Sequence, residues 1–393
     1  MKKELLIVFV LVLSWGILNG QKRSIGPNLQ TTYFTEDTTS LLRNPAMGWG
    51  VYDDANTEVQ NADEYWKAQD AAARKSASFF YVRYRWSDME PEEGKYAWLY
   101  NENYKKLIAG AKERGLKLCF RVYNHSQDNL RQSTPDYVRQ AGAKGFMAKG
   151  SEGQSLWTPY PDNTVYQQKM GKFIEAFAKE YDNPDIVDFI DGYSVGFWGE
   201  CHGITLENPS NLESVLSWYA HTYSSNFKNV LLLLPFGSQV GFEAENRLAI
   251  KPYGYGMRRD GLGSMWFSDN ERAITNQMYG RTLLVGESCW WQGYTDDYRP
   301  WATDTRYKLN SWRDVYELTY KQAIDYHFNT LDLREIPETK GWTTRAPDLV
   351  QKFVVKGGYR FYPVSVRVPN VLTAGNKVTV FHTWKNTGNG YLP

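Results

Sequence analysis

The sequence predicts an α/β protein built as a (β/α)8 TIM barrel, followed by a small C-terminal β-sandwich segment. Three observations predict this fold. The chain has 393 residues, which suits one barrel of roughly 250 residues or more plus an appendage. Short apolar runs alternate with helical stretches up to about residue 335. After Pro347 the composition changes to strands separated by turns.

Eight short apolar runs are typical of strands buried in a parallel sheet. They are Ala46–Tyr52, Ser78–Arg85, Leu116–Tyr123, Ile190–Phe197, Val230–Pro235, Tyr253–Arg258, Thr282–Glu287 and Phe328–Leu333. The glycines of the sixth run are also typical of a loop. Eight βα units in sequence are what a closed parallel barrel requires.

Helical stretches lie between these runs. They are Ala62–Ala77, Tyr100–Arg114, Thr134–Ala148, Thr164–Tyr181, Ser210–Phe227, Phe242–Ile250, Phe267–Met278 and Ser311–Tyr326. An open doubly wound sheet is the alternative arrangement. It normally carries a GxGxxG phosphate loop after its first strand, and this sequence has none there.

Three segments are predicted: a signal peptide over residues 1–20, the barrel over 21–347 and a β-rich segment over 348–393. In the last, Tyr359–Val368 and Lys377–Trp384 read as strands. Two or three strands cannot bury a sandwich core alone. Either they pair with an N-terminal strand near Thr31–Phe34, or the chain stops partway through a β-sandwich.

The N-terminus has the pattern of a secretory signal. Lys2 and Lys3 precede an apolar run from Leu5 to Leu18, and Gly20 then precedes polar residues. A single transmembrane anchor is the alternative, but the run is shorter than the about 20 residues that a comfortable span needs. We therefore expect a mature protein that is periplasmic or secreted.

Composition narrows the function class. The formal net charge is +1, which argues against a nucleic-acid partner because such partners need a basic surface. Aromatic residues make up 16% of the chain. They indicate either an aromatic-rich core or a cleft lined with flat rings, on which the apolar faces of sugars stack.

The three cysteines do not form a disulfide framework. Cys119, Cys201 and Cys289 each follow or end a predicted strand, so we interpret them as small buried residues. A nucleophile pair of Cys201 with His202 is the alternative, although adjacent residues of an extended segment rarely point at each other. The histidines show no metal-site spacing, and no metal or other cofactor is implied.

Two glutamates stand where barrel enzymes carry reactive groups, at the carboxyl ends of strands. Glu200 follows the fourth predicted strand and Glu287 ends the seventh. Glycosidic hydrolysis requires two carboxyl groups, one to protonate the leaving oxygen and one to attack or to activate water. Trp198 would raise the pKa of Glu200 as an apolar wall, and basic groups would keep Glu287 ionised. For either glutamate alone, a structural ion pair is an equally good interpretation.

Residues at neighbouring strand ends are candidates for binding the substrate. Arg83 and Arg85 share a face of the second strand and would hold Glu287 or form an interior salt bridge. Tyr123, Asn124 and His125 end the third strand and would bind hydroxyl groups, with a loop cap as the alternative for His125.

Four further candidates come from later in the chain and from the segment before Glu200. Trp198, beside Glu200, is a candidate substrate-binding residue. Trp290 and Trp291 would serve as sugar platforms, although at least one of them would be core. Arg258 follows the sixth strand and, with Arg259, would recognise a carboxylate or sulfate unless this segment is a solvated loop.

From Asn44 to Glu335 the sequence resembles the clan A glycoside hydrolases, retaining enzymes on this barrel whose bacterial members often add a β-sandwich. The resemblance rests on N-P-A-M-G-W-G from Asn44, on W-x-x-x-E-P-x-x-G from Trp86, and on the two strand-end glutamates. It implies that Glu200 is the acid/base and Glu287 the nucleophile. Many members have Asn before the acid/base, where it contacts the sugar 2-hydroxyl; here that residue is Gly199, and Asn124 or His125 would replace it.

The sequence therefore predicts a secreted retaining glycosidase that acts on the β-linkages of an extracellular poly- or oligosaccharide. Two alternatives stay open. A carbohydrate-binding barrel without catalysis would have one glutamate in the core or in an ion pair. A metal-dependent hydrolase would need clustered His and Asp at strand ends, where only His125 and His202 occur.

Overall fold

The protein is described by a computed structural model covering residues 28–53, 59–237, 239–290 and 306–393. Its centre is a closed barrel of eight parallel strands, each paired with the next along the chain, with the eighth paired back to the first. These strands are β1 (Gly48–Tyr52), β2 (Ala77–Arg85), β3 (Lys117–Tyr123), β4 (Val187–Asp191), β5 (Leu231–Pro235), β6 (Gly256–Leu262), β7 (Leu284–Ser288) and β8 (Thr330–Arg334). The predicted (β/α)8 barrel is confirmed.

Helices follow the strands and cover the barrel. The longer ones are Ala62–Lys75, Glu102–Glu113, Thr164–Tyr181, Leu212–Asn226, Asp269–Met278, Trp312–Asp325, Ile336–Arg345 and Pro347–Lys356. The shorter ones are Trp86–Met89, Ala97–Tyr100, Asp136–Gln140, Phe197–Gly199, Pro209–Asn211, Phe242–Glu245, Asn246–Ile250 and Lys251–Tyr253. None of the described helices is long and apolar enough to cross a membrane.

Two predicted elements were wrong. The fourth strand ends at Asp191 rather than at Phe197, because the chain then turns through Gly196 and Trp198, both with positive φ, which a strand does not accommodate. The predicted helix over residues 134–148 is helical only over Asp136–Gln140. Gly142 follows with φ 95°, and residues 145–149 then pair with 155–159 as an antiparallel hairpin.

A small apolar cluster fills the barrel interior below the charged site described in the next section. Tyr52 from β1, Tyr81 from β2, Phe189 from β4 and Val285 from β7 belong to it, all nearly inaccessible to solvent. Because four different strands supply these side chains, the cluster fixes the strands relative to one another.

The W-x-x-x-E-P-x-x-G segment forms a hydrogen-bonded turn after β2. The buried Glu90 carboxylate accepts from the Trp86 indole at 2.9 Å, from the Gly94 backbone at 2.8 Å and from the Tyr137 hydroxyl at 2.7 Å. Since Glu90 has three protein donors and does not line the cavity described below, the segment holds a loop in place rather than supplying reactive groups.

The chain divides into two compact units. Residues 36–362 and 385–393 form the barrel unit, and residues 28–35 and 363–384 form a small β unit. An antiparallel sheet contains Leu29–Tyr33, Phe361–Pro369 and Phe381–Asn386. Of the two alternatives for the C-terminal strands, pairing with an N-terminal strand is confirmed: Leu29 pairs with Pro369 and Tyr33 with Ser365.

Candidate active site

A cavity of about 610 Å³ opens at the carboxyl ends of the barrel strands. Both predicted glutamates line it, together with arginines from β2, β3, β6 and β8 and with three tryptophans. The cavity therefore lies where barrel enzymes place their reactive groups, and its size is in the range of small-molecule sites.

Glu287 lies on β7 at the base of this cavity and is 1% exposed. Arg258 of β6 donates to its Oε2, and Arg334 of β8 donates to its Oε1 at 2.9 Å. Burial alone would raise the pKa of this carboxyl group, but the charges of Arg258, Arg334 and Arg121 outweigh burial and lower the pKa to about 2. Glu287 is therefore ionised at neutral pH.

Glu200 lies on the loop after β4, where the left-handed backbone at Gly196 and Trp198 turns the chain over the cavity. Its Oε1 accepts from Arg121 Nη1 at 2.7 Å, and its Oε2 lies 3.4 Å from His202 Nε2. Burial raises the pKa of Glu200, but the Arg121 charge and the His202 hydrogen bond lower it further than burial raises it. The expectation that Trp198 raises this pKa was wrong, because a guanidinium faces the carboxylate.

Arg121, on β3, connects the two glutamates. Its Nη1 binds Glu200, its Nη2 lies 3.6 Å from Glu287 Oε2, and its Nε donates to Asp191 at 2.9 Å. Tyr81 also donates its hydroxyl proton to the same Asp191 oxygen. A single planar guanidinium thus contacts three carboxylates, those of Asp191 at the end of β4, Glu200 on the loop that follows β4, and Glu287 on β7.

The two arginines of the second strand, Arg83 and Arg85, have different surroundings. Arg83 lines the cavity, but it is Arg258 and Arg334, not Arg83, that hold Glu287. Arg85 pairs with Asp88 at 2.6 Å and does not line the cavity. The sequence-based expectation that one of these two residues holds Glu287 was therefore wrong, and for Arg85 the interior salt bridge is the arrangement observed.

The third-strand candidates make hydrogen bonds within the protein and do not line the cavity, although the Nε2 atom of His125 is buried without a partner. Tyr123 donates its hydroxyl proton to Asn129 at 2.9 Å. Asn124 donates to Tyr166 at 2.6 Å and to the hydroxyl of a second tyrosine. His125 accepts from the Gln127 backbone at 3.1 Å, as in a loop cap, and burial lowers its pKa to about 4.

Two of the three candidate tryptophans line the cavity. Trp198 and Trp290 line it, and Trp290 is 45% exposed. Trp291 lies outside the described residues. Trp266, which the sequence analysis did not single out, also lines the cavity and is 66% exposed. An exposed tryptophan at a cavity is a natural platform for a sugar ring.

Arg258 occupies a different position from the one expected of a residue that reads an acidic sugar. It is 2% exposed and is bound to Glu287 and, at 2.9 Å, to the Tyr52 hydroxyl. Its donors therefore hold the protein's own carboxylate. The neighbouring Arg259 faces the cavity, but it pairs with Asp260 and Glu271.

Sequence reasoning missed Arg121, Arg334 and Trp266, and it considered His202 only as a partner of Cys201 or as a metal ligand. A signal existed for Arg121, since it interrupts an apolar strand, where a charge is as costly as at the two glutamates. The signal for Arg334 was its place directly after the last predicted strand. The three cysteines are free and buried, as predicted. Among the described residues, no three or more His, Cys, Asp or Glu are grouped as metal ligands.

Comparisons with known proteins give fold-level likenesses alone. No protein-family model matches the chain, and no curated protein sequence matches it. The catalytic domain of a β-amylase from Paenibacillus polymyxa is 12% identical with a TM-score of 0.54, covering 79% of this chain and 98% of that one. An exo-β-1,4-mannosidase from Opitutaceae bacterium strain TAV5 is 12% identical with a TM-score of 0.50, covering 82% of this chain and 62% of that one. The chain is similar to both in its barrel.

Proposed function

We propose that this protein is a glycoside hydrolase that cleaves β-glycosidic bonds of an extracellular poly- or oligosaccharide. The observation that carries the proposal is that Glu200 and Glu287, from two different strand ends, share Arg121 in one aromatic-lined cavity. The similar solved structures include an amylase and a mannosidase, which act on sugars and support this substrate class.

Glu287 suits the nucleophile of a double displacement. An attacking carboxylate has to be ionised, and Arg258 and Arg334 keep Glu287 so by lowering its pKa. Their hydrogen bonds also fix both of its oxygens, so the carboxylate meets the anomeric carbon without first reorganising. In this mechanism Glu287 forms the covalent glycosyl-enzyme, which water then hydrolyses.

Glu200 suits the acid/base, provided that it gains a proton before the leaving group departs. His202 lines the cavity with its Nε2 3.4 Å from Glu200 Oε2. In the proposed step, protonated His202 passes a proton to Glu200, and Glu200 passes it to the glycosidic oxygen. Bound sugar would also exclude water from the carboxylate, which favours its protonated form. The second step reverses the transfer as Glu200 takes a proton from the attacking water.

The test is a comparison of Glu200→Gln and Glu287→Gln with the wild type on purified glycans and on aryl glycosides. An aryl leaving group such as dinitrophenolate departs without protonation. We therefore expect Glu200→Gln to lose at least about 10²-fold in kcat on the glycan and much less on the dinitrophenyl glycoside. Glu287→Gln should lose activity on both. Full activity of Glu287→Gln on either substrate would refute the proposed nucleophile.

A binding barrel without catalysis is the second candidate, because both glutamates are held in ion pairs. It predicts that the wild type retains a glycan on an affinity gel and releases no reducing sugar from it. The hydrolase predicts release of reducing ends, lost in Glu287→Gln. If the wild type retains the glycan but releases no reducing ends from it, the binding protein without catalysis is favoured.

We also propose that the protein acts outside the cytoplasm. The support is the sequence pattern of residues 1–20, a positively charged start, an apolar run and a small residue before polar ones. Those residues lie outside the described part of the chain. Fractionation of expressing cells, with N-terminal sequencing of the product, tests this: we expect an extracytoplasmic protein that begins near residue 21.

A further inference from the structure

Arg83 is a buried arginine that the chain leaves without an ion pair. Arg83 lines the cavity and is 6% exposed. Its backbone N–H donates to Asp53, but its side-chain Nε is buried without a hydrogen-bond partner. Within the described ranges, no carboxylate lies at ion-pair distance from its guanidinium, in contrast to the ion pairs made by every other cavity arginine.

Burial lowers the pKa of Arg83, but the charges of Glu287 and Glu200 raise it further, so both glutamates favour the charged guanidinium. Neither glutamate binds Arg83 directly, because other donors already occupy their oxygens. Glu200 is bound by Arg121 and His202. Glu287 is bound by Arg258 and Arg334. A charge this far from water is costly unless a partner compensates it. An anionic group that enters the cavity would give the Arg83 guanidinium the direct partner that the protein does not supply.

We infer that Arg83 binds an anionic group of the sugar substrate, a uronic acid carboxylate or a sulfate ester. The planar guanidinium presents a fork of N–H donors that matches the oxygens of either group, and this fork faces the cavity with no protein acceptor. The inference rests on the proposed function, since it names the class of sugar that the cavity takes. The inference also assigns anion recognition to β2 rather than to Arg258 and Arg259, because those two arginines already pair with carboxylates of the protein.

The test compares matched neutral and acidic ligands in calorimetric titrations. The pairs are methyl β-glucoside with methyl β-glucuronide, methyl β-galactoside with methyl β-galacturonide, and galactose with sulfated galactose. The wild type should bind the acidic member of at least one pair about tenfold or more tightly than the neutral one. The pair that shows the preference distinguishes a carboxylate from a sulfate.

Three variants locate the preference. Arg83→Gln should lose it, and Arg83→Lys should keep part of it, because the charge remains while the fork is lost. Arg247→Gln removes an equal charge from an exposed arginine paired with Glu213 and should keep it in full. Circular dichroism and melting curves of each variant establish that the protein is folded before titration.

Two results overturn the inference. One is equal binding of neutral and acidic members in every pair, absence of binding included. The other is a folded Arg83→Gln variant that keeps the preference. The proposed hydrolysis fails separately: an acidic sugar that binds through Arg83 but whose glycosides are never cleaved would refute the enzyme and leave the binding site in place.

Discussion

The Glu287→Gln substitution tests whether arginines hold an ionised carboxylate at the base of the cavity. Glu287 is 1% exposed, and its pKa falls from 4.5 to about 2. One pKa unit corresponds to about 1.4 kcal/mol, so this shift corresponds to about 3 kcal/mol of stability at pH 7. Removing one member of a buried pair costs about 3–5 kcal/mol. We therefore expect the variant to lose about 3 kcal/mol in free energy of unfolding.

The pH dependence of this loss follows from the direction of the shift. The folded pKa of Glu287 lies below its unfolded value, so the ionised carboxylate stabilises the fold above about pH 4.5 and ceases to do so as pH falls through about 2. The neutral amide of the variant does not titrate. The difference between wild type and variant should therefore be complete at pH 7 and shrink to roughly half or less by pH 3.

Urea denaturation followed by tryptophan fluorescence measures this difference at both pH values. Glu213→Gln is the matched control, because Glu213 pairs with Arg247 at the surface with both side chains more than half exposed. Its effect should stay within about 0.5 kcal/mol. A Glu287→Gln variant as stable as the wild type at pH 7 would show that the arginines do not hold an ionised carboxylate.

Three further predictions concern the cavity wall and the opposite end of the barrel. Trp266→Ala should raise KM by roughly two- to tenfold through lost stacking and leave the melting temperature nearly unchanged, since the ring is 66% exposed. His202→Gln should lower kcat for glycans by about 10²-fold but hardly affect dinitrophenyl glycosides, if it supplies the proton of Glu200. Asp188→Asn should stabilise the protein at pH 7 by up to about 3 kcal/mol, measured in urea, because burial raises the pKa of Asp188 from 3.8 to about 6. An ionised group with a raised folded pKa costs stability as pH rises past its unfolded pKa, so this gain should vanish below about pH 4.

The barrel could be predicted because its strands are buried on both faces and so read as continuous apolar runs. The fourth strand was placed too late for the same reason. Tyr193 and Val195 are buried although they lie beyond the strand end at Asp191, so hydrophobicity alone gives no sign of where pairing stops. The hairpin over residues 145–159 was missed because its pairing depends on a partner strand and not on helical or strand periodicity.

The two glutamates could be located by sequence, but their partners could not. Position after an apolar run singled out both carboxylates, although Glu287 lies on β7 whereas Glu200 lies on the loop after β4. Which arginine reaches which carboxylate depends on distances across the closed barrel. The sequence indicated Arg83 or Arg85 as the ion-pair partner of Glu287. The observed partners are Arg258 and Arg334, which come from the neighbouring strands β6 and β8. Both arginines lie on strands adjacent to β7, while Arg121 reaches Glu287 from β3 across the interior. These relations appear only once the strand order is known.

The residue before Glu200, Gly199, lies against the arginine that binds Glu200. Gly199 has φ 75°, and a Cβ atom there would lie 3.1 Å from Tyr123 Cβ and 3.2 Å from Arg121 Cδ. An asparagine, which many members of the resembled clan carry at this position, would therefore be strained in its backbone and would crowd Tyr123 and Arg121, which would have to shift by a few tenths of an ångström. Because Arg121 lies against Gly199 and binds Glu200, the small residue at position 199 and the ion pair on Glu200 belong together. Asn124 cannot replace the missing amide while its donors are bound to tyrosine hydroxyls.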